Sequence, residues 1–242
     1  MDRQIKSEWI KASSVRSTWV IVGLSIVGIV AQAITALIQG GTDSAAITRG
    51  VLSGSSYTLV LMVILGAVAS SGEYTRKSII TTYTVSPSRA RAIVAKTVVV
   101  IAIALVIGAL SVPISRLVAA IWFAVGSGSW DAGLGTALHY AYGTMITYAG
   151  FAVIGVMVGV LCRSTAIAVG VAFGVLFIID PILAAVTTYS EYTATASAAT
   201  MLDPDTHQTA QPGFGAAIAL MVFYMVVLSA IAVGVEQRRD VD

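Results

Sequence analysis

The 242-residue sequence contains little charge: 11% of its residues are Asp, Glu, Lys or Arg, whereas a soluble domain carries about 25%. It has one cysteine, two histidines and no asparagine. A single cysteine excludes an internal disulfide framework, and the isolated His and Cys residues lack the spacing of zinc ligands. So few charges cannot cover a water-exposed surface, whereas a surface in lipid needs no polar coat. With 57% hydrophobic residues, the composition indicates an integral membrane protein.

Six hydrophobic segments approach or exceed the length that crosses a bilayer. A hydrocarbon core of about 30 Å requires about 20 helical residues. Lipid offers no partners for backbone polar groups, so a span must be a helix or part of a closed barrel, and continuous apolar runs favour helices. We therefore predict an all-α integral membrane protein with about six transmembrane helices. They cover residues 18–37, 55–71, 97–122, 137–161, 166–189 and 214–235.

Lysine and arginine are distributed unevenly between the two sides of this arrangement. Twelve of the fourteen fall on the side that contains both termini, and the loops of the other side are acidic. Because cytoplasmic loops are enriched in Lys and Arg, we expect both termini to be cytoplasmic. The twelve are Arg3, Lys6, Lys11, Arg16, Arg76, Lys77, Arg89, Arg91, Lys96, Arg163, Arg238 and Arg239, and the other two are Arg49 and Arg116.

The first predicted cytoplasmic segment, residues 1–17, precedes the first span. Its apolar residues Ile5, Trp9 and Ala12 fall on one helical face, and polar residues occupy the opposite face. This pattern predicts an interfacial helix that lies in the membrane surface with Trp9 at headgroup level. The alternative is a basic flank that only fixes the topology.

The second such segment, residues 72–96, is too charged to enter lipid and too long for a tight turn. A β-branched run in its first half has mediocre helix propensity. Ser86 followed by Pro87 is typical of a helix start. We therefore expect a helix, a short turn and a second helix along the membrane surface.

The residues of this segment resemble those of a known family. Glu73-Tyr74-Thr75-Arg76-Lys77-Ser78, then Val85-Ser86-Pro87-Ser88-Arg89, then Lys96 before an apolar helix, look like the cytoplasmic loop of ABC-2 type transporter permeases. That family often has Gly-Thr where this sequence has Arg76-Lys77. The length, the six spans and the interfacial helix also fit, so residues 1–242 are expected to form a single ABC-2 type transmembrane domain.

The resemblance implies a transmembrane permease subunit that forms a translocation pathway as a dimer, with a second copy or a homologous permease. It also implies coupling to a separate ABC ATPase, with ATP and Mg bound on that partner and no cofactor bound by this chain. The coupling residues implied are Glu73, Tyr74, Arg76, Lys77, Ser86, Pro87, Arg89 and Lys96. The alternative is that these basic residues only fix the topology and bind anionic lipid.

The sequence itself offers no means of hydrolysing ATP. It contains no G-x-x-x-x-G-K-[ST] motif, and in Lys77-Ser78 the place of the glycine is taken by Arg76. It also shows no arrangement of nucleophile and base and no metal-ligand set. We expect a non-enzymatic, multi-pass protein of a bacterial plasma membrane whose partners include the lipid bilayer but no nucleic acid.

Ionisable residues within the spans are candidates for function. Asp180, followed by Pro181, interrupts the fifth span, and Arg116 lies at a similar outer level of the third. The two charges can be paired, or both can be wet at the outer interface. If Asp180 carries a proton or an ion, the chain is instead an ATP-independent secondary transporter or channel. Between the last two spans, residues 182–212 are expected to form an external segment that is long enough to re-enter the membrane, as the chain often does at this place in the ABC-2 family.

Small residues and aromatic residues in the spans are assigned to packing rather than to cargo. Gly155 and Gly159, and likewise Gly170 and Gly174, are spaced four apart, which permits close helix approach. The apolar spans suggest a hydrophobic or amphipathic cargo such as a drug, peptide or lipid. The aromatic residues that we assign to packing or to the interfacial belts are Tyr57, Trp122, Tyr140, Tyr142 and Tyr148.

Overall fold

The computed structural model describes residues 2–41, 43–75, 89–126, 130, 132–179, 182, 192–204 and 212–238, and it gives only the backbone of residues 2–3, 73–75, 89–90, 177 and 236–238. Every regular element in these ranges is helical. The helices are α1 (Asp2–Ser14), α2 (Arg16–Gln39), α3 (Ser44–Leu52), α4 (Ser56–Thr75), α5 (Arg89–Val125), α6 (Leu134–Cys162), α7 (Thr165–Gly174), α8 (Ala194–Leu202) and α9 (Phe214–Arg238).

Five stretches within the described ranges are long and apolar enough to cross a bilayer, which confirms the predicted all-α membrane fold. Of the fifth predicted span, the described part comprises α7 and a π-helical turn that follows it, Val175–Ile179. Beyond that turn, Asp180, Pro181 and most residues up to 191 lie outside the described ranges. The five stretches are Arg16–Gln39, Ser44–Gly72, Arg91–Val125, Leu134–Cys162 and Phe214–Val235.

The second span is longer than predicted and consists of two helices. The sequence predicts a span over residues 55–71, but the apolar helical stretch begins at Ser44 with α3. Asp43 caps this helix, since its carboxylate accepts a hydrogen bond from the Ala45 N–H at 2.9 Å. The prediction missed α3 because Thr48, Arg49 and Gly50 interrupt its apolar run.

The third span also extends beyond its prediction. Helix α5 runs without interruption from Arg89 to Val125, although the sequence predicts a separate surface helix before a span at residues 97–122. The sequence Arg89-Ala90-Arg91-Ala92 consists of strong helix formers, so no break separates the surface part from the span. Residues 89–96 therefore form the first two turns of α5.

Helix α6 is the centre of the bundle and contacts α3, α4, α5, α7, α8 and α9. In its most apolar 18-residue window 72% of the residues are buried, against 11% in α9. Its fully buried large side chains include Tyr148, Phe151 and Met157. The main hydrophobic core thus surrounds α6, and α9 lies at the periphery with most of its surface outside the protein.

The alternating direction of the spans separates two ends of the bundle. We call one the basic end, since it contains Arg16, Arg91, Lys96 and Arg163. The opposite end, where α2 finishes and α6 begins, contains Asp43 and Asp203 and is called the acidic end. By the distribution of Lys and Arg, the basic end is the predicted cytoplasmic one.

Candidate functional site

The predicted coupling segment leaves the bundle at the end of α4, which is held firmly by its neighbours. The Ser71 hydroxyl donates to the Thr165 hydroxyl at 3.0 Å, which joins α4 to the first turn of α7. The preceding residue, Ser70, is buried, and its hydroxyl donates to the Gly66 carbonyl of the same helix at 2.9 Å. The point where the chain enters the predicted coupling segment is therefore fixed to α7.

The segment returns to the bundle at the start of α5, which is tied to α1. Glu8 of α1 is 7% exposed, and its carboxylate lies 2.6 Å from the Lys11 ammonium and 4.0 Å from the Lys96 ammonium. Burying a carboxylate is costly unless cations surround it, so Glu8 fixes α1 against α5. Trp9 and Ile10 point away from the protein and remain 47% and 57% exposed.

Glu8 is a residue that the sequence analysis missed. It is the only acidic residue between Arg3 and Arg16, and a lysine follows it three positions later. That isolated negative charge in a basic helix was the available signal. Its partner Lys96 is one of the predicted coupling residues; the structure places its side chain, 11% exposed, against Glu8, and its docking role stays a prediction.

The other coupling residues are described only in part. Glu73 and Tyr74 belong to the last turn of α4, and Arg89 is the first residue of α5, so the helices place their backbones at the basic end. The predicted residues Arg76, Lys77, Ser86 and Pro87 lie outside the described residues. Their docking role stays a prediction.

The intramembrane charges are likewise only partly described. The Arg116 guanidinium of α5 donates to the Ala132 carbonyl at 2.9 Å and so holds the connection that leads into α6. Asp180 and Pro181 lie outside the described residues, so their pairing with Arg116 stays a prediction. Trp130 of the same connection donates to the Thr48 hydroxyl at 3.0 Å, which fixes it against α3.

The predicted packing glycines differ in their surroundings. A Cβ atom on Gly155 would overlap the Val63 carbonyl of α4, and one on Gly159 would overlap the Ser70 hydroxyl. From the other side, a Cβ on Gly66 would overlap backbone atoms of α6. These glycines therefore allow α4 and α6 to touch through their backbones. A Cβ on Gly170 or Gly174 would meet no heavy atom of the described residues within 4 Å.

The second span is broken at Ser53-Gly54-Ser55, a feature that the sequence analysis did not predict. Ser53 has φ −58° and ψ 141°, which ends α3, and α4 starts at Ser56. Gly and Ser pairs are common at sharp helix kinks, so the Ser-Gly-Ser-Ser sequence was the available signal. Here the Gly54 N–H donates to the Leu202 carbonyl of α8 at 3.1 Å.

Helix α8 lies beside the outer half of α6, within the predicted external segment 182–212. A Cβ on Gly143 would overlap the Met201 carbonyl, so only glycine allows α8 this close to α6. At the end of α8, the Tyr140 hydroxyl donates to the Asp203 carboxylate at 3.1 Å. Near its start, the Tyr224 hydroxyl of α9 donates to the Tyr192 carbonyl at 2.5 Å.

A family model described as ABC-2 family transporter protein matches residues 4–180. The chain belongs to this family. A search of the curated proteins found no match to the sequence. As a member of the ABC-2 family, the chain is a membrane permease of an ABC transporter and works with an ABC ATPase subunit. The matched region contains the whole coupling segment, and it ends before α8 and α9.

Membership also decides what this permease contributes to the transporter. The ABC-2 chain is the transmembrane component and not the ATPase. Among the described residues, no three His, Cys, Asp or Glu side chains are close enough to hold a metal ion.

Proposed function

We propose that the chain is the permease of an ATP-driven exporter, in which two permeases form the pathway and residues 72–96 dock on the ATPase. Family membership supports the partnership, and the basic residues of the segment supply charge pairs that give a docking surface register and specificity. We further propose a hydrophobic or amphipathic cargo, since the spans are apolar and so are the exposed side chains Ile167 and Val171 of α7 and Ile178 of the π-helical turn.

The observation that carries the proposal is the anchoring of the coupling segment at both of its ends. On the α4 side, the Ser71–Thr165 hydrogen bond transmits a displacement to α7. On the α5 side, Glu8 holds Lys96 and transmits a displacement to α1. A segment that an ATPase grips would thus move four helices together rather than flex as a free loop.

Co-expression with the ATPase subunit tests the docking. Glu73→Lys and Arg89→Glu should each reduce the ATPase that co-purifies with the permease, because each reverses a docking charge. The matched control is Arg49→Glu, an exposed reversal at the acidic end, which should leave co-purification unchanged. Full retention of the ATPase by both variants would contradict the docking role of the segment.

Transport in vesicles distinguishes the proposed mechanism from an ATP-independent one. Vesicles that contain the permease and the ATPase should accumulate a hydrophobic dye only when ATP is supplied on the ATPase side. Accumulation by the permease alone, lost in an Asp180→Asn variant, would instead establish a secondary transporter.

A further inference from the structure

Helix α1 turns its one described acidic side chain inward, against α5. Glu8 is 7% exposed, and its carboxylate lies 2.6 Å from the Lys11 ammonium and 4.0 Å from the Lys96 ammonium. The half-buried residues Ile5 and Ala12 lie on the same side of the helix as Glu8. This side holds α1 to the bundle, and it removes from the outer surface a negative charge that would repel an anion.

The opposite side of α1 presents basic and large apolar side chains. Lys6 is exposed, and so is Arg16 at the start of α2. Among the described residues neither of these two forms an ion pair, since the ion pairs of this region go to Glu8. Ile10, one turn after Lys6, is 57% exposed, and Trp9 is 47% exposed. The outward side of α1 therefore combines positive charge with apolar surface, and its described part contains no acidic side chain.

The connection to α2 holds this outward side at the level of the membrane surface. One residue, Val15, separates α1 from α2, the first stretch that is long and apolar enough to cross the bilayer. The Trp19 indole N–H donates to the Ser13 carbonyl at 2.7 Å, so the end of α1 is bonded to the first turn of the span. Trp19 and Val20 are 63% and 59% exposed at that turn. Because tryptophan is enriched at the membrane–water interface, this bond places the outward side of α1 beside lipid headgroups.

We propose that the surface formed by Lys6, Trp9, Ile10 and Arg16 is a binding site for anionic phospholipid at the basic end of the bundle. The two basic side chains bind the headgroup phosphate, and the two apolar side chains enter the boundary of the acyl chains. An acidic surface of a soluble protein would match the charge but not the depth, since Trp19 joins α1 to the first turn of a span. The site follows from the contacts of α1 and does not depend on the proposed function.

Fluorescence quenching by spin-labelled lipid tests this site in the permease without its ATPase. With Cys162 replaced by serine, a fluorophore is attached to Ser13→Cys, an exposed position of α1, and the protein is reconstituted in phosphatidylcholine vesicles. The vesicles then receive increasing fractions of phosphatidylglycerol or phosphatidylcholine that carries a nitroxide near the top of an acyl chain. Half-maximal quenching should need at least about fivefold less of the phosphatidylglycerol, which is the preference that one basic residue at a membrane surface confers.

The two basic residues of the site should account for this preference. The double variant Lys6→Gln/Arg16→Gln should lose most of it, whereas Lys6→Arg/Arg16→Lys, which keeps both charges, should retain it. Arg49→Gln, an exposed charge removal at the acidic end, is the matched control, and a fluorophore on Ala45→Cys at that end should show no preference. Equal quenching by the two lipids at position 13, an equal preference at position 45, or a preference that the double variant keeps would overturn the site.

Lipid bound at this site should also affect the coupled ATPase, an effect that rests on the proposed function. Glu8 ties α1 to Lys96, so a lipid that restrains α1 also restrains the start of α5, where the predicted coupling segment ends. In nanodiscs that hold the permease with its ATPase, replacing part of the phosphatidylcholine by phosphatidylglycerol should raise the rate of ATP hydrolysis. The double variant Lys6→Gln/Arg16→Gln should lose this rise. A rise that the double variant keeps, or no rise in a chain whose α1 still prefers phosphatidylglycerol, would overturn the link to the ATPase, whereas the quenching measurement alone decides the lipid site.

Discussion

At the scale of single residues, glycine sets how closely the central helices approach. Gly155 faces the Val63 carbonyl of α4 without a side chain between them. Gly66 of α4 likewise faces backbone atoms of α6 directly. Without a hydrophobic driving force between helices in lipid, such close packing is a main source of association. Gly170 has the same sequence spacing from Gly174 but faces open space in the described structure. The spacing predicts small-residue faces, but which of them is used inside the chain depends on the fold.

We expect Gly155→Ala to destabilise the permease and Gly170→Ala to have no such effect. The added methyl group at position 155 meets backbone atoms that cannot rotate away, and overpacking of this kind costs about 1–3 kcal/mol. At position 170 the same change relieves only the helix penalty of glycine, which is about 0.5–1 kcal/mol. The thermal stability of each variant is measured as the fraction of protein that remains monodisperse in size-exclusion chromatography after heating. Equal thermal stability of the two variants would refute the backbone contact between α4 and α6.

At the scale of elements, long uniform apolar runs were predictable and interruptions were not. The spans that became α2, α6 and α9 were predicted because each is a continuous apolar run. Helix α3 was missed because Arg49 lies in it, and α8 was missed because its Ala-, Ser- and Thr-rich sequence is only weakly apolar. Both helices depend on tertiary contacts, such as Thr48 with Trp130 and Leu202 with Gly54, which no local pattern reveals.

Helix α8 should be displaced by a single methyl group on α6. Gly143→Ala would meet the Met201 carbonyl, whereas Gly135→Ala, on the same helix, meets nothing within 4 Å. With Cys162 replaced by serine, a Ser197→Cys reporter in the buried face of α8 should react slowly with a membrane-impermeant maleimide. In the Gly143→Ala protein, overpacking that costs about 1–3 kcal/mol should raise the fraction of molecules in which α8 has left α6. The labelling rate of the reporter should rise with that fraction, at least about fivefold.

The Gly135→Ala protein should label Ser197→Cys at the wild-type rate. Cysteine at Ala199, an exposed position of α8, should react rapidly in every background and so reports reagent access. If Gly143→Ala leaves the Ser197→Cys rate unchanged, α8 is not seated against α6 as described.

At the scale of the whole molecule, the charge distribution predicts which end of the bundle faces the cytosol. The basic end contains Arg16, Arg91, Lys96 and Arg163, and the acidic end contains the capping residue Asp43. The positive-inside rule depends only on sequence, so this orientation needs no structural contact to be predicted. The packing of the two ends, in contrast, could not be read from composition.

Single cysteines in a Cys162→Ser background test the orientation in intact cells. An Ala45→Cys protein should react with an impermeant maleimide added outside, because α3 begins at the acidic end. An Arg91→Cys protein should react only after the membrane is permeabilised, although its position is exposed on α5. The reverse pattern would place residues 72–96 outside the cell and would rule out their contact with an ATPase.

The peripheral position of α9 has a consequence for the isolation of this permease. Since the rest of the chain buries little of that helix, its position depends on the surrounding lipid or detergent more than the position of a buried span does. A small, harsh detergent micelle should release the C-terminal helix first and leave the other spans assembled. Extraction in native lipid patches would keep the chain whole and is the preparation in which its activity should be assayed.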